Sequence, residues 1–117
     1  MAKHNLLGKR GEDKAVKLLL GWGFVIQARN WRHSYWEIDI IASKGDVLHF
    51  IEVKTRSSTN MGFPEDGVNE KKLENLLNAS DFFCEKHPQW KMIQFDILSI
   101  LLLKEREEYL FIEDVFI

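Results

Sequence analysis

The alternation of apolar and polar positions divides the chain into seven segments. From Leu6 to Leu20, Leu7, Ala15, Leu18 and Leu19 recur at helical intervals and continue to Trp22, with Gly21 and Gly23 supplying a stop. Phe24 to Arg29 reads as a strand, Trp31 to Ser34 as a turn, and Tyr35 to Ala42 as a second strand. Ser43-Lys44-Gly45-Asp46 is too short for a crossover, so the third strand, Val47 to Thr55, must return antiparallel. Arg56 to Asp66, with Gly62, Pro64 and no apolar period, is expected to be a surface loop. Asn69 is a cap for a second helix carrying Leu73, Leu76, Leu77, Phe83 and Cys84, which His87-Pro88 ends. Trp90 to Leu103 and Tyr109 to Phe116 complete the pattern as two strands across a charged turn at 104–108. The order αβββαββ predicts an α/β fold, a mixed sheet flanked by helices that bury their apolar stripes on it.

Composition supports this and narrows the chemistry. In 117 residues, 45% hydrophobic and 29% charged, the expectation is one domain over 1–117. A lone cysteine, Cys84, rules out an internal disulfide and a four-cysteine zinc site. No apolar run approaches the roughly 20 residues that span a bilayer, and the first residues lack the core of a secretory signal. A cytoplasmic protein with no membrane partner is the expectation. The net charge of −2 advertises no anionic partner, but its distribution is uneven. Residues 1–36 hold seven basic side chains against two acidic ones, and residues 104–117 hold two against five. One basic and one acidic face are therefore expected.

The chemistry is concentrated where the second and third strands meet. Strict alternation puts Glu37, Asp39 and Ile41 on one face of the second strand and Trp36, Ile38 and Ile40 on the other; Phe50, Glu52 and Lys54 share a face of the third. With the turn at Ser43 to Asp46, Ala42 pairs with Val47, Glu37 lies opposite Glu52, and Asp39 becomes its diagonal neighbour at roughly 5–8 Å between alpha carbons. A turn two residues shorter pairs Asp39 directly with Glu52. Two carboxylates this close need a positive partner, which Lys54 and a hard divalent cation, magnesium or manganese, can both supply. A metal held by Asp39, Glu52 and the carbonyl of Val53, with Lys54 beside a water or a phosphate, is equipment for phosphodiester hydrolysis. The buried stripe of the first helix, extended one turn backward from Ala15, reaches Gly8, Gly11 and Glu12, so Glu12 points partly inward beside glycines that permit close approach.

Arg32 and Arg56 are candidates for phosphate contact, as are Lys9 and Arg10 in the basic first third. Trp31, His33, Tyr35 and Trp36 could offer stacking surfaces to bases, or Trp31 and Trp36 could be core at the edge of the hairpin. No histidine has zinc-ligand spacing; His49 reads as a satisfied buried side chain and Cys84 as a small buried hydrophobe.

Asp39 followed by Glu52-Val53-Lys54, with Glu12 on the first helix, resembles the Asp…Glu-X-Lys signature of the restriction-endonuclease-like nuclease superfamily. In order, Gly8-Lys9-Arg10-Gly11-Glu12, Glu37-Ile38-Asp39-Ile40-Ile41, Glu52-Val53-Lys54-Thr55-Arg56, Gly62 with Pro64, Lys72, Ala79 and Phe95-Asp96 resemble the bacterial YraN-like uncharacterised family across nearly the whole chain. Archaeal Holliday junction resolvases are similar in placing a helix-one glutamate beside an aspartate and a Glu-X-Lys pair, the positions of Glu12, Asp39, Glu52 and Lys54 here. The resemblance implies a restriction-endonuclease-like fold, Asp39 and Glu52 as metal ligands, Lys54 as catalytic lysine, Glu12 as a ligand through water or a positioning group, and Lys72 facing the site from the second helix. Trp36 stands where the close family usually has glycine, and Ile38 where the superfamily motif often has proline. The implied activity is a magnesium- or manganese-dependent DNA endonuclease acting on branched or structured DNA in repair or recombination, with a homodimer suited to paired incisions. The alternative is a nucleic-acid-binding module that keeps the fold without cleavage.

Overall fold

The computed structural model describes residues 3–57 and 70–115. Its elements are α1 (Lys3–Gly21), β1 (Val25–His33), β2 (Trp36–Lys44), β3 (Val47–Arg56), α2 (Glu70–Lys86), β4 (Met92–Leu102) and β5 (Glu107–Ile112), in the expected αβββαββ order. The strands form one mixed sheet in the order β1-β2-β3-β4-β5, parallel only between β3 and β4, the pair joined through α2. The expected loop from 58 to 66, the Asn69 cap and the end of the last strand at Phe116 lie outside the described residues. Among the described residues, no helix is long and apolar enough to cross a membrane.

Each helix covers one face of the sheet. Gly11, Ala15 and Leu19, four residues apart along α1, are buried, and the last two pack with Phe24, Ile40, Ile51, Leu98 and Ile100. Ala79 and Phe83 of α2 pack on the opposite face with Ile41, Leu48, Phe50 and Phe95. Leu77, expected on that stripe, is 44% exposed; the α2 stripe runs through Leu76, Ala79 and Phe83. The stop of α1 is at Gly23, whose φ of +93° allows Phe24 N–H to reach Leu19 O (2.9 Å) and Gly23 N–H to reach Leu20 O (3.1 Å). Phe24 and Leu19 then share the core cluster, which joins helix end to sheet.

Three expectations about the strands need correction. The β2–β3 turn is the pair Gly45-Asp46: Lys44 pairs with Val47 and Ile40 with Ile51, two residues out of the expected register. Gly45 at φ +60° supplies the positive angle that a two-residue hairpin turn demands at its first position. The β1–β2 turn likewise shortens to Ser34-Tyr35, with Ser34 at φ +57° and His33 paired to Trp36. Finally, β2 does not alternate strictly. Ile38 packs with Ile41 on the α2 face, while Ile40 and Ala42 pack on the α1 face. The change of face coincides with Asn30, in the left-handed region at φ +49°, between the pairs Arg29–Ile40 and Trp31–Ile38.

The acidic C-terminal stretch and basic α1 meet instead of forming opposed faces. Lys14 Nζ lies 2.9 Å from Glu107 Oε2, and Arg10, Lys14 and Lys17 line a depression with Glu107. Inside the sheet, the expected satisfied histidine is found: His49 Nδ1 is 2.6 Å from Asp96 Oδ2, and both residues are buried. Asp96 Oδ1 accepts from Gln94 Nε2 and Asp114 N–H, each at 2.9 Å.

Candidate metal and nucleic-acid site

The carboxylates converge because the β2–β3 ladder stops. Its last pair is Ile40–Ile51, and the residues that follow on either strand, Asp39 and Glu52, bring their carboxyl groups within hydrogen-bonding reach of each other. The Val53 N–H donates to Asp39 Oδ2 at 2.8 Å, tying the two strands together by a side chain. Asp39 is pushed up to about 7, first by burial and then by the negative charge of Glu52, against the pull of the Val53 hydrogen bond. The Glu12 carboxylate adds to the same repulsion from α1.

Glu12 reaches this place through a close approach of α1 to β3. A Cβ on Gly11 would stand 1.8 Å from Thr55 Oγ1 and 2.7 Å from Thr55 Cβ, so only glycine permits the contact. Gly8, expected to share that task, has open space where its Cβ would be. Glu12 Oε1 is a buried oxygen with no hydrogen-bond partner. Its pKa is raised mainly by burial, in spite of the Arg29 guanidinium nearby. A buried acceptor left unsatisfied costs about 1–3 kcal/mol, so it is retained where a water or cation completes it.

Two cations crowd Glu52. Lys72 of α2 forms an ion pair with Glu52 Oε1, and Lys54 Nζ lies 3.6 Å from the same oxygen. Burial first, then the neighbouring Lys72 ammonium, lowers the Lys54 pKa despite the attraction of Glu52. Burial works against the charge on Lys72 too, but hydrogen bonding to Glu52 and Lys54 outweighs it and holds its pKa above the ordinary lysine value. Lys72 is thus held to its proton more firmly than an ordinary lysine, and Lys54 less firmly.

The donor set is all oxygen, which fits a hard cation such as magnesium or manganese. Among the described residues, no three acidic, histidine or cysteine side chains form a ready-made metal cage. A cation here would rest on Asp39, Glu52 and the Val53 carbonyl and keep waters for its other positions, as magnesium commonly does.

Of the expected phosphate-binding residues, Lys72 is at the cluster. Arg32 is at the hairpin end, 3.4 Å from Glu37, and Glu37 borders the same cleft as Glu52. Arg56 ends β3, the strand of Glu52 and Lys54, and its Nη2 lies 3.4 Å from Ser99 Oγ on β4. Arg10 lies beside Glu107, and Lys9 is exposed on α1 near Asp13. Trp31 and Trp36 are half-buried and pack against the α2-side core, which favours the core reading of both. Sequence reasoning missed Leu73, Asn75, Leu76 and Val115 as walls of the cleft beside Glu52. The leucines were read only as the buried stripe of α2, and nothing local in the chain relates Val115 to Glu52.

The family model described as "Uncharacterised protein family UPF0102" matches residues 11–100. A UPF0102 protein of Bacteroides fragilis is 42% identical over 101 residues, 86% of this chain and 84% of that protein. One from Dictyoglomus turgidum is 41% identical over 102 residues, 86% of each chain. One from Flavobacterium psychrophilum is 42% identical over 109 residues, 93% of this chain and 90% of the relative.

Proposed function

Since the chain belongs to the uncharacterised protein family UPF0102, whose description carries no activity, we propose from the site itself that it is a magnesium- or manganese-dependent DNA endonuclease. The observation that carries the reading is the meeting of Asp39 and Glu52 at the open end of the β2–β3 ladder, with Lys54 beside Glu52. The unpartnered Glu12 oxygen supports it from the helix side.

Asp39, Glu52 and the Val53 carbonyl would hold the cation, and Glu12 would act through a bound water or by positioning Asp39. When bound, the cation supplies Lewis acidity toward a phosphate oxygen and an acidified water. The hydrogen bond from Val53 N–H fixes the Asp39 carboxylate against β3, beside Glu52. Lys54, with its pKa lowered, aligns the attacking water and can take up its proton. Lys72 keeps its charge and offsets the negative charge that builds on the phosphate as the water oxygen bonds to phosphorus and the bond to the leaving oxygen breaks. Branched or otherwise structured DNA, in repair or recombination, is the substrate class proposed, and two copies of the chain would be needed for paired incisions.

The test is cleavage of labelled duplex, single-stranded and four-way-junction DNA with magnesium or manganese, comparing wild type with Asp39→Ala and Lys54→Ala. Activity in the wild type, reduced at least a hundredfold in both variants, is expected. Equal background cleavage by all three proteins overturns the proposal.

A second reading, a DNA-binding module with the same fold and no cleavage, draws on the ion pair of Lys72 with Glu52. That ammonium already neutralises one of the two carboxylates. It predicts salt-sensitive DNA binding without turnover, and no heat on calorimetric titration with manganese.

A further inference from the structure

Tyr35 is 94% exposed, yet it borders the cleft that contains Glu52 and Lys72. The cleft has a volume of about 170 Å³. That is room for one planar ring, since a cavity of about 150 Å³ takes up benzene, and too little for a base pair. Leu73, Leu76 and Ile97 give it an apolar wall, while Asn75 and Glu37 place an amide and a carboxylate at its border. Apolar walls with a few polar groups at one edge match the chemistry of a nucleobase, whose faces are apolar and whose rim carries donors and acceptors.

The hairpin that carries Tyr35 is built to hold it in water. Ser34 at φ +57° closes a two-residue turn, and the stem behind it is stiffened by His33 stacked on Phe82 of α2 at 3.8 Å, with Trp31 and Trp36 around them. The other aromatic residues of the hairpin lie against α2, and Tyr35 alone among them faces solvent almost completely. A phenol ring projecting from a stiff turn, next to a ring-sized cleft and beside the cations Lys72 and Arg32, offers a stacking face and phosphate-binding charge together.

We propose that Tyr35 and the cleft behind it receive an unpaired base of the DNA strand and stack on it next to the acidic cluster, so that the protein selects DNA with an unstacked nucleotide at the site. This rests on the nuclease reading for its substrate class and adds to it the feature of DNA that is recognised. Base stacking on one aromatic side chain changes affinity by about tenfold.

The experiment is fluorescence anisotropy in chelating buffer, where nothing is cut, with a fluorescein-labelled flap duplex and the same duplex made abasic in its unpaired strand. Wild type is expected to bind the abasic duplex about tenfold more weakly. Tyr35→Ala should bind both duplexes at that weaker level, and Tyr35→Phe should restore the preference. Tyr35 has almost no packing to lose, and unchanged melting temperatures of both variants confirm that the fold is intact. Equal affinity of wild type for the two duplexes, an undiminished preference in Tyr35→Ala, or no binding to either duplex overturns the inference. Base-dependent binding here, together with no cleavage in the magnesium or manganese assay, sinks the hydrolytic reading and leaves this one standing. Cleavage that is indifferent to the abasic change does the opposite.

Discussion

Asp39 carries an electrostatic burden that is visible without any substrate. Its carboxyl titrates near 7 in the folded protein, against about 3.9 for an unfolded chain. The folded state therefore holds the proton more tightly. Its contribution to stability is fully present below about pH 4 and is lost as the pH rises through 7, amounting to a few kcal/mol. Melting in chelating buffer should accordingly show a lower Tm at pH 8 than at pH 5.5, and Asp39→Asn should flatten that difference. A wild-type Tm that rises over this interval would contradict the burial and repulsion assigned to Asp39. Manganese should recover part of the loss at pH 8, because it binds the carboxylate form that prevails there and offsets its repulsion from Glu52. Asp96 is a different kind of buried acid, since three polar groups depend on its two oxygens: His49, Gln94 and the Asp114 N–H. Asp96→Ala should cost about 3 kcal/mol or more, as measured by urea unfolding, because it strands His49 inside the sheet.

At the level of elements, the contact between α1 and β3 turns on one missing methyl group. Gly11→Ala forces its Cβ into the Thr55 side chain, and either the helix or the strand must shift. Overpacking of this kind costs about 1–3 kcal/mol. If Gly11 also sets the position of Glu12, the variant should lose manganese affinity as well as stability, a pairing that calorimetry and melting read separately. Thr55→Ala in the same chain should recover only part of the stability, since the Thr55 Cβ itself is 2.7 Å from the added atom. The element boundaries differ from the sequence expectations in one consistent way. The two hairpins that share β2 each close in two residues, so β1 and β2 run two to four residues further than expected. Turn length was read from the polar stretch Ser43 to Asp46, but Ser43 is buried in the sheet and its Oγ accepts a hydrogen bond from Gln27 at 3.0 Å. A polar side chain with a cross-strand partner looks, in the sequence, like part of a turn.

For the molecule as a whole, β3 is the organising strand: it lies at the centre of the sheet, carries Glu52, Val53 and Lys54, and has a helix against each face. Hydrogen exchange should reflect this, with β3 amides opening only in global unfolding and the amides of edge strands β1 and β5 exchanging orders of magnitude sooner. Comparable protection in β5 and β3 would contradict that ranking. The fold class, the αβββαββ order and the family were all legible along the chain, because hydrophobic period and turn residues are local properties and the motif residues keep their order. The meeting of Asp39 with Glu52 was legible too, since a two-residue error in turn length leaves both acids on neighbouring strands. Other features required the folded chain. The change of face between Ile38 and Ile40, the pairing of Lys72 with Glu52, the burial of Glu12 Oε1 and the position of Tyr35 at the cleft all depend on how distant segments pack. Local periodicity records which side of an element is apolar; it carries no measure of what will be opposite that side once α1 and α2 close over the sheet, and the charge state and accessibility of a side chain are set by those opposing neighbours.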